Sequence, residues 1–360
     1  MKKAPHRSST KKRFRPRLSS FIKHLKFSKY TKRLPGQGRP APRGGYPKIA
    51  YLKALLLKAI LQLTYRNLEA FLRRYPSYAR ACGFLRGFIP HYSRFSKFFT
   101  KLDPSLIEDI SVDVTRKLIR RLKMPCKFLG VDSTCARAYA NSFTKKGDPD
   151  AAVGRSSVKG FFYGYKIHLV VDGQTDLPVA FEVTAGNVYD GHRLLPLLRK
   201  AVRITRKRPK AIIADKGYDA GYNYVGVVEE LLAAPVIAIR GRRRRVAGRQ
   251  TTLEDFFPQR RGKRRKKRRR RSKTQEQLLR QNPPIARGSE EWKFLTRFRA
   301  SVERAISRLK AIFGLERLRV RGLARVRKHV GLCIIGLIES ALYLAKRGRP
   351  GLARSFPYVV

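Results

Sequence analysis

The stretch Phe128-Leu129-Gly130-Val131-Asp132-Ser133-Thr134 sets a short apolar run directly before a carboxylate. A second stretch, Ala211-Ile212-Ile213-Ala214-Asp215-Lys216, repeats the arrangement. Short continuous apolar runs bounded by turn-forming or polar residues predict buried strands. In an open α/β sheet, ligands gather at the carboxyl ends of the strands, where Asp132 and Asp215 are expected to fall. Two such carboxylates on neighbouring strands can hold a pair of divalent ions about 3.5–4 Å apart. Hard oxygen donors suit Mg²⁺ or Mn²⁺. Taken alone, either aspartate reads better as a turn former or a helix N-cap.

Around these runs the texture alternates between strand and helix. Residues 165–171 and 179–184 predict strands joined by a turn at Asp172-Gly173. Helices are expected over 194–202 and 225–232, with a strand over 236–239. A long amphipathic helix is expected over 294–313 and a very apolar one over 326–344. The order matches an α/β fold with a ribonuclease-H-like mixed sheet flanked by helices, spanning 125–346. Upstream, residues 46–124 show helical spacing and predict a small all-helical domain for DNA binding or dimerisation. The phenylalanines of its 91–101 run, Phe95, Phe98 and Phe99, read as core in preference to a DNA-facing stripe. Residues 1–45 carry fifteen Lys/Arg, no acid and several prolines, which reads as a disordered basic arm. Residues 240–289 form a basic insertion, since no core can bury the run 260–271, basic at eleven of its twelve positions. Residues 347–360 are a C-terminal tail.

Composition narrows the function classes. Of 360 residues, 83 are Lys or Arg and 24 Asp or Glu, a formal charge of +59 that calls for a polyanionic partner. Charge alone does not separate a nucleic-acid enzyme from a protein that coats nucleic acid; placed carboxylates do. The four cysteines, Cys82, Cys126, Cys135 and Cys333, form no CxxC pair, against structural zinc or a disulfide framework. The basic N-terminus lacks an apolar h-region, and apolar stretches such as 330–338 are too short to span a bilayer. A cytoplasmic, nucleoid-associated protein is expected.

Glu303 connects the two aspartates to a helix. At about 100° per residue, Arg299 lies about 40° from Glu303, and Lys310 about 20° from it, on one stripe beside the apolar side of Phe298, Val302, Ala305, Leu309 and Ile312. Helix salt bridging would explain that stripe but not the strand-end aspartates.

Phe128-Leu-Gly-Val-Asp132-Ser-Thr resembles the first-Asp motif of bacterial and archaeal insertion-sequence DDE transposases. The stretches Gly164 to Asp172 and Pro178 to Asp190 resemble the strands that follow in that family, and Ala214-Asp215-Lys-Gly-Tyr-Asp219 resembles its second-Asp motif. Arg299, Glu303 and Lys310 match the spacing of the Tyr-x2-Arg-x3-Glu-x6-Lys signature. Tyr65 to Glu69 and Ile89 to Ser93 resemble the family's helical N-terminal region, so the similarity runs over roughly residues 46–345. Position 296, where the signature has Tyr, is Thr296; Phe294 and Trp292 are candidate substitutes, but neither sits at the same helical angle. In the family that tyrosine is thought to stack on a flipped base, so the departure removes the basis for expecting hairpin-type end processing.

The resemblance implies a catalytic and metal-binding triad of Asp132, Asp215 and Glu303 holding Mg²⁺, with Mn²⁺ substituting. It implies hydrolytic cleavage at element ends, strand transfer into target DNA, double-stranded DNA as partner and a homodimer in the transposition complex. Arg299 and Lys310 are expected to clamp phosphate. Arg264, Arg265, Lys266, Lys267 and Arg268 are expected to meet the backbone. Lys216 reads equally as a DNA contact or a solvated lysine, and Asp219 as a capping residue. His168 reads as a packed strand residue, Asp172 as a turn former, and Ser133 and Ser142 find no His/Asp partners for nucleophilic catalysis. The alternatives are a repurposed or decayed DNA-binding protein and a ribonuclease-H-like nuclease without strand transfer.

Overall fold

A computed structural model describes residues 15–36, 46–85, 88–140, 147–156, 160–239 and 275–354. Ser142 and the basic cluster Arg264, Arg265, Lys266, Lys267 and Arg268 lie outside the described residues.

Helix α1 (Arg15–His24) is followed by a 3-10 turn, Ser28–Arg33. Then come α2 (Lys48–Ile60), α3 (Tyr65–Arg74), α4 (Pro76–Cys82), α5 (Tyr92–Lys101) and α6 (Pro104–Leu122). Local chemistry sets several boundaries. Thr64 accepts the Asn67 amide at the start of α3, and Asp103 accepts the Ser105 amide beside Pro104 at the start of α6. Phe95, Phe98 and Phe99 are buried, as their reading as core requires.

The basic arm expected over residues 1–45 is ordered in part. Leu18, Phe21, Ile22, Leu25, Phe27, Tyr30 and Leu34 are buried in the main core. Phe21 meets Tyr343 edge-on at 5.5 Å, and Arg33 pairs with Asp109 at 2.8 Å. Basic composition hid an apolar face spaced for a helix and a turn.

The sheet comprises β1 (Phe128–Arg137), β2 (Ala152–Ser156), β3 (Gly160–Asp172), β4 (Leu177–Ala185), β5 (Ala211–Ala214) and β6 (Ala234–Ile237). From the far edge the order is β4 and β2 side by side along β3, then β3, β1, β5, β6. β1, β3 and β4 form an antiparallel meander, while β5 and β6 run parallel to β1. This is the ribonuclease-H-like mixed sheet. Helices α7 (Leu194–Thr205) and α8 (Gly221–Glu229) connect its parallel part. α9 (Gln275–Gln281), α10 (Glu290–Thr296), α11 (Arg299–Phe313) and α12 (Leu323–Lys346) follow.

Two expectations change here. The strand holding Asp132 does not stop there: antiparallel pairing to β3 carries β1 on to Arg137. The long helix expected over 294–313 is broken by a turn at Arg297-Phe298, where Phe298 stacks on Phe128 at 4.9 Å. Arg299 therefore opens a helix instead of sitting inside one.

α12 joins the two parts of the protein, packing on α2, α6, α11 and β4. By length and composition it could cross a membrane, contrary to the reading of its apolar stretch as too short, but 94% of its apolar window is buried inside the protein. That is the setting of a core helix. Its buried Lys328 donates to the carbonyls of Phe99, Thr100 and Leu102 at 2.7, 3.0 and 2.9 Å, bolting α12 to the end of α5.

Candidate active site

β1 and β5 pair in parallel register from Phe128↔Ala211 to Val131↔Ala214. Asp132 and Asp215 are the next residue on each strand. Adjacent strands lie about 4.8 Å apart, and residues in parallel register share a face, so the two carboxylates stand side by side where the ladder ends.

Glu303 reaches the same face from α11. Gly130 helps to bring that helix in, because a Cβ there would lie 3.4 Å from Ser301 Oγ and 3.5 Å from the Phe298 carbonyl. Farther along α11, Arg304 forms a two-pronged ion pair with the nearly buried Asp176, both contacts at 2.8 Å. This clamps α11 to the turn between β3 and β4.

Arg299 stands between two of the three acids. Its guanidinium is 3.5 Å from Asp215 and 3.3 Å from Glu303. Asp132 lies deeper, and its Oδ1 accepts the Ser133 amide at 2.7 Å. Burial pushes the Asp132 carboxyl up to about 6; the Ser133 amide opposes the shift, and Asp215, Glu303 and Asp190 add to it. The three predicted carboxylates thus feel one another, and Asp132 lies in a field that a cation would relieve.

The donor set is all hard oxygen, and this excess of negative potential fits a divalent cation. No three His, Cys, Asp or Glu side chains among the described residues are gathered closely enough to hold an ion as they stand.

Other expected site residues find different settings. Lys310 pairs with Glu316 at 2.7 Å, and Thr134 donates to the same carboxylate at 2.6 Å, so this lysine is tied to the wall beside β1. Lys216 is exposed in the 3-10 turn after Asp215. Arg280 grips Asp219 at 2.8 and 2.6 Å, and Tyr224 donates to it at 3.2 Å. Thr296 donates to the Lys293 carbonyl at the end of α10, while Phe294 is 48% exposed nearby. Asp172 accepts from Thr175 at 2.7 Å within the turn, as expected.

The face of the sheet opposite Glu303 holds a polar cluster of which pattern reading placed only His168, as a packed strand residue. Asp190 lies 3.1 Å from Lys166 Nζ and 3.8 Å from His168 Nδ1. His168 is fully buried, meets Thr184 at 3.0 Å, and is pushed by burial down to about 4, so it stays neutral. The Tyr218 hydroxyl is buried in the field of Asp190, Asp132 and Asp215, which, with burial as the leading cause, drives its ionisation far upward. Asp190 was visible only as a member of a motif; its approach to the turn after Asp215 comes from tertiary packing.

The family model described as Transposase DDE domain matches residues 127–338, and that described as Transposase domain (DUF772) matches residues 4–101. No curated protein matches the chain. Among solved structures, the chain is similar to a piggyBac transposase synaptic complex with hairpin DNA, at 12% identity and TM-score 0.43, covering 96% of this chain and 77% of that one. It also matches a Mos1 transposase paired-end complex with left transposon end, at 17% identity and TM-score 0.14, covering 53% and 61%. With scores this low, those two likenesses do not bear on the assignment, which stands on the family match. The chain belongs to the transposase DDE domain family.

Proposed function

We propose that this transposase cuts DNA at the ends of an insertion sequence and joins the freed ends to target DNA, with Asp132, Asp215 and Glu303 as its catalytic and metal-holding carboxylates. The observation that carries this reading is the register of β1 and β5, which sets Asp132 beside Asp215 while Arg299 links Asp215 to Glu303. Divalent-metal dependence goes with the family; Mg²⁺ is the ion proposed, with Mn²⁺ able to replace it. When bound, such ions supply activation of an attacking hydroxyl and stabilisation of the leaving oxygen in an in-line displacement.

The chain's own residues position the reacting groups. The β1–β5 ladder fixes the two aspartates on a rigid edge, and the Arg304–Asp176 clamp fixes the height of Glu303 above them. Arg299 neutralises Asp215 and Glu303 in the free protein. With Asp215 and Glu303 holding a metal, the Arg299 guanidinium would be free to meet a DNA phosphate with two parallel hydrogen bonds. Lys310 acts one step removed, through Glu316 and Thr134. Lys216 and the cluster Arg264, Arg265, Lys266, Lys267 and Arg268 are proposed backbone contacts. Two ends must be held at once, so a homodimer on DNA is part of the proposal, as is a cytoplasmic, nucleoid-associated location.

Thr296 favours a second reading, in which this chain binds ends without processing them. Incubation with Mg²⁺ or Mn²⁺ and DNA carrying the sequences that flank its gene separates the two. Joined products support transfer, cleavage without joining supports a nuclease, and binding without chemistry supports the second reading.

A further inference from the structure

The sheet continues beyond the catalytic carboxylates as a two-stranded ribbon. β3 pairs with β1 as far as Gly164↔Arg137 and then with β2 alone toward Ser156↔Gly160. The ribbon therefore projects past the edge on which Asp132 and Asp215 stand. Its faces can be followed by register. Leu169 pairs with Asp132 and shares its face; at a period of two, Ile167, Tyr165, Tyr163 and Phe161 share it as well. Arg155 and Val153, the cross-strand partners of Phe161 and Tyr163, complete that face.

The opposite face of the ribbon is sealed. A Cβ on Gly154 would lie 2.1 Å from the Gly186 carbonyl oxygen, so the ribbon sits backbone to backbone on that loop. On the face shared with Asp132, Tyr163 and Tyr165 are buried, their hydroxyls donating to Asp148, and only the tip of the ribbon is open. Phe161 is 73% exposed and Val153 43% exposed, and Arg155 lies over the Phe161 ring at 5.7 Å. Beside the ribbon, where the Ala138 amide donates to the Tyr163 carbonyl at 2.9 Å, Tyr139 is 56% exposed. Arg321 lies over its ring at 5.6 Å and donates to its carbonyl at 2.7 Å. Of the nine exposed large hydrophobic side chains among the described residues, Phe161 and Val153 sit on the ribbon and Tyr139 on the segment beside it.

We infer that this ribbon is a DNA-binding surface that stacks unpaired bases on Phe161 and Tyr139, with Arg155 and Arg321 meeting the adjoining phosphates. An exposed ring with a guanidinium on one side offers its other side to a base, and the cation complements the backbone. A partner of opposite charge suits a chain of net charge +59. Phe161 lies eight residues along β3 from the level of Asp132, about 26 Å at the rise of a strand, so the surface would take up DNA well away from the cut site. The occupant, DNA, follows from the proposed function.

The test is binding of the full chain, with divalent metal chelated, to a labelled single-stranded oligonucleotide and to its duplex. Phe161→Ala combined with Tyr139→Ala is expected to weaken single-strand binding by about tenfold or more, while duplex binding changes less than about twofold. Phe161→Trp should keep single-strand affinity. Phe161→Leu, which fills the same space without a π face, should lose it, and serves where the alanine variant unfolds. Equal loss on both substrates, no loss on either, or full affinity in Phe161→Leu overturns the proposal; so does preference for RNA of the same sequence. Chelation separates this result from strand transfer. Inactive DNA chemistry leaves a positive binding result standing, and a negative binding result leaves the catalytic reading standing.

Discussion

Asp132 shows what the site costs the fold. Its carboxyl titrates near 6 in the folded chain, against about 3.9 when unfolded. Between those values the folded state holds the extra proton, so this residue's contribution to stability falls as pH rises through that window. Asp132→Asn is expected to melt higher than the parent protein at pH 7 without divalent metal, by an amount on the order of 1–3 kcal/mol. The difference should vanish below about pH 4, where both carboxyls are protonated. Thermal unfolding at the two pH values decides this; a variant that melts lower at pH 7 would mean that Asp132 is already compensated. Residue identities were the most legible level of this molecule. Asp132, Asp215 and the Arg299–Glu303 spacing could be read from short apolar runs and helical angles, and the structure brings their charges together. Asp190 could not be read that way, because its approach depends on a turn folding back after β4. Nor could the engagement of Lys310 by Glu316, since the chain reverses after α11 to make it.

Among the elements, α11 carries the heaviest demand, since Glu303 must sit above strands that are remote in sequence. Arg304 holds the helix to Asp176, whose side chain is only 4% exposed and which also meets Arg354 at 3.3 Å. Arg304→Ala should destabilise the protein by about 1–3 kcal/mol, because a buried carboxylate loses its best partner. Strand transfer should fall more steeply than DNA binding. Unchanged melting and unchanged transfer would remove the clamp from the account. The alternating strands and helices were legible because buried strands and amphipathic helices have different periods. Three elements were not, each for a physical reason. β1 extends past Asp132 because β3 is there to pair with it, which a local pattern does not reveal. The helix over 294–313 breaks without Gly or Pro, because Phe298 turns to stack on Phe128. The first helix lay inside a stretch whose charge and prolines outweighed its buried Leu18, Phe21 and Ile22.

Over the whole molecule, a net charge of +59 dominates association with nucleic acid. Affinity for duplex DNA should fall linearly in log–log terms with salt, losing about 10³-fold or more between 50 and 200 mM if at least about six phosphates are neutralised. A flat salt response would contradict backbone contact as the main source of affinity. Under the proposed function, chemistry falls to a few fixed acids, so binding and catalysis should separate cleanly by mutation. The most direct measurement is single-turnover cleavage and joining by the parent protein and Glu303→Gln, with Mg²⁺ and with Mn²⁺, alongside DNA affinity for both. The account predicts that the variant loses both chemical steps while its DNA affinity stays within about twofold of the parent. A folded Glu303→Gln protein that still cuts and joins, or that loses binding as fully as chemistry, would contradict the assignment of Asp132, Asp215 and Glu303 as the catalytic carboxylates.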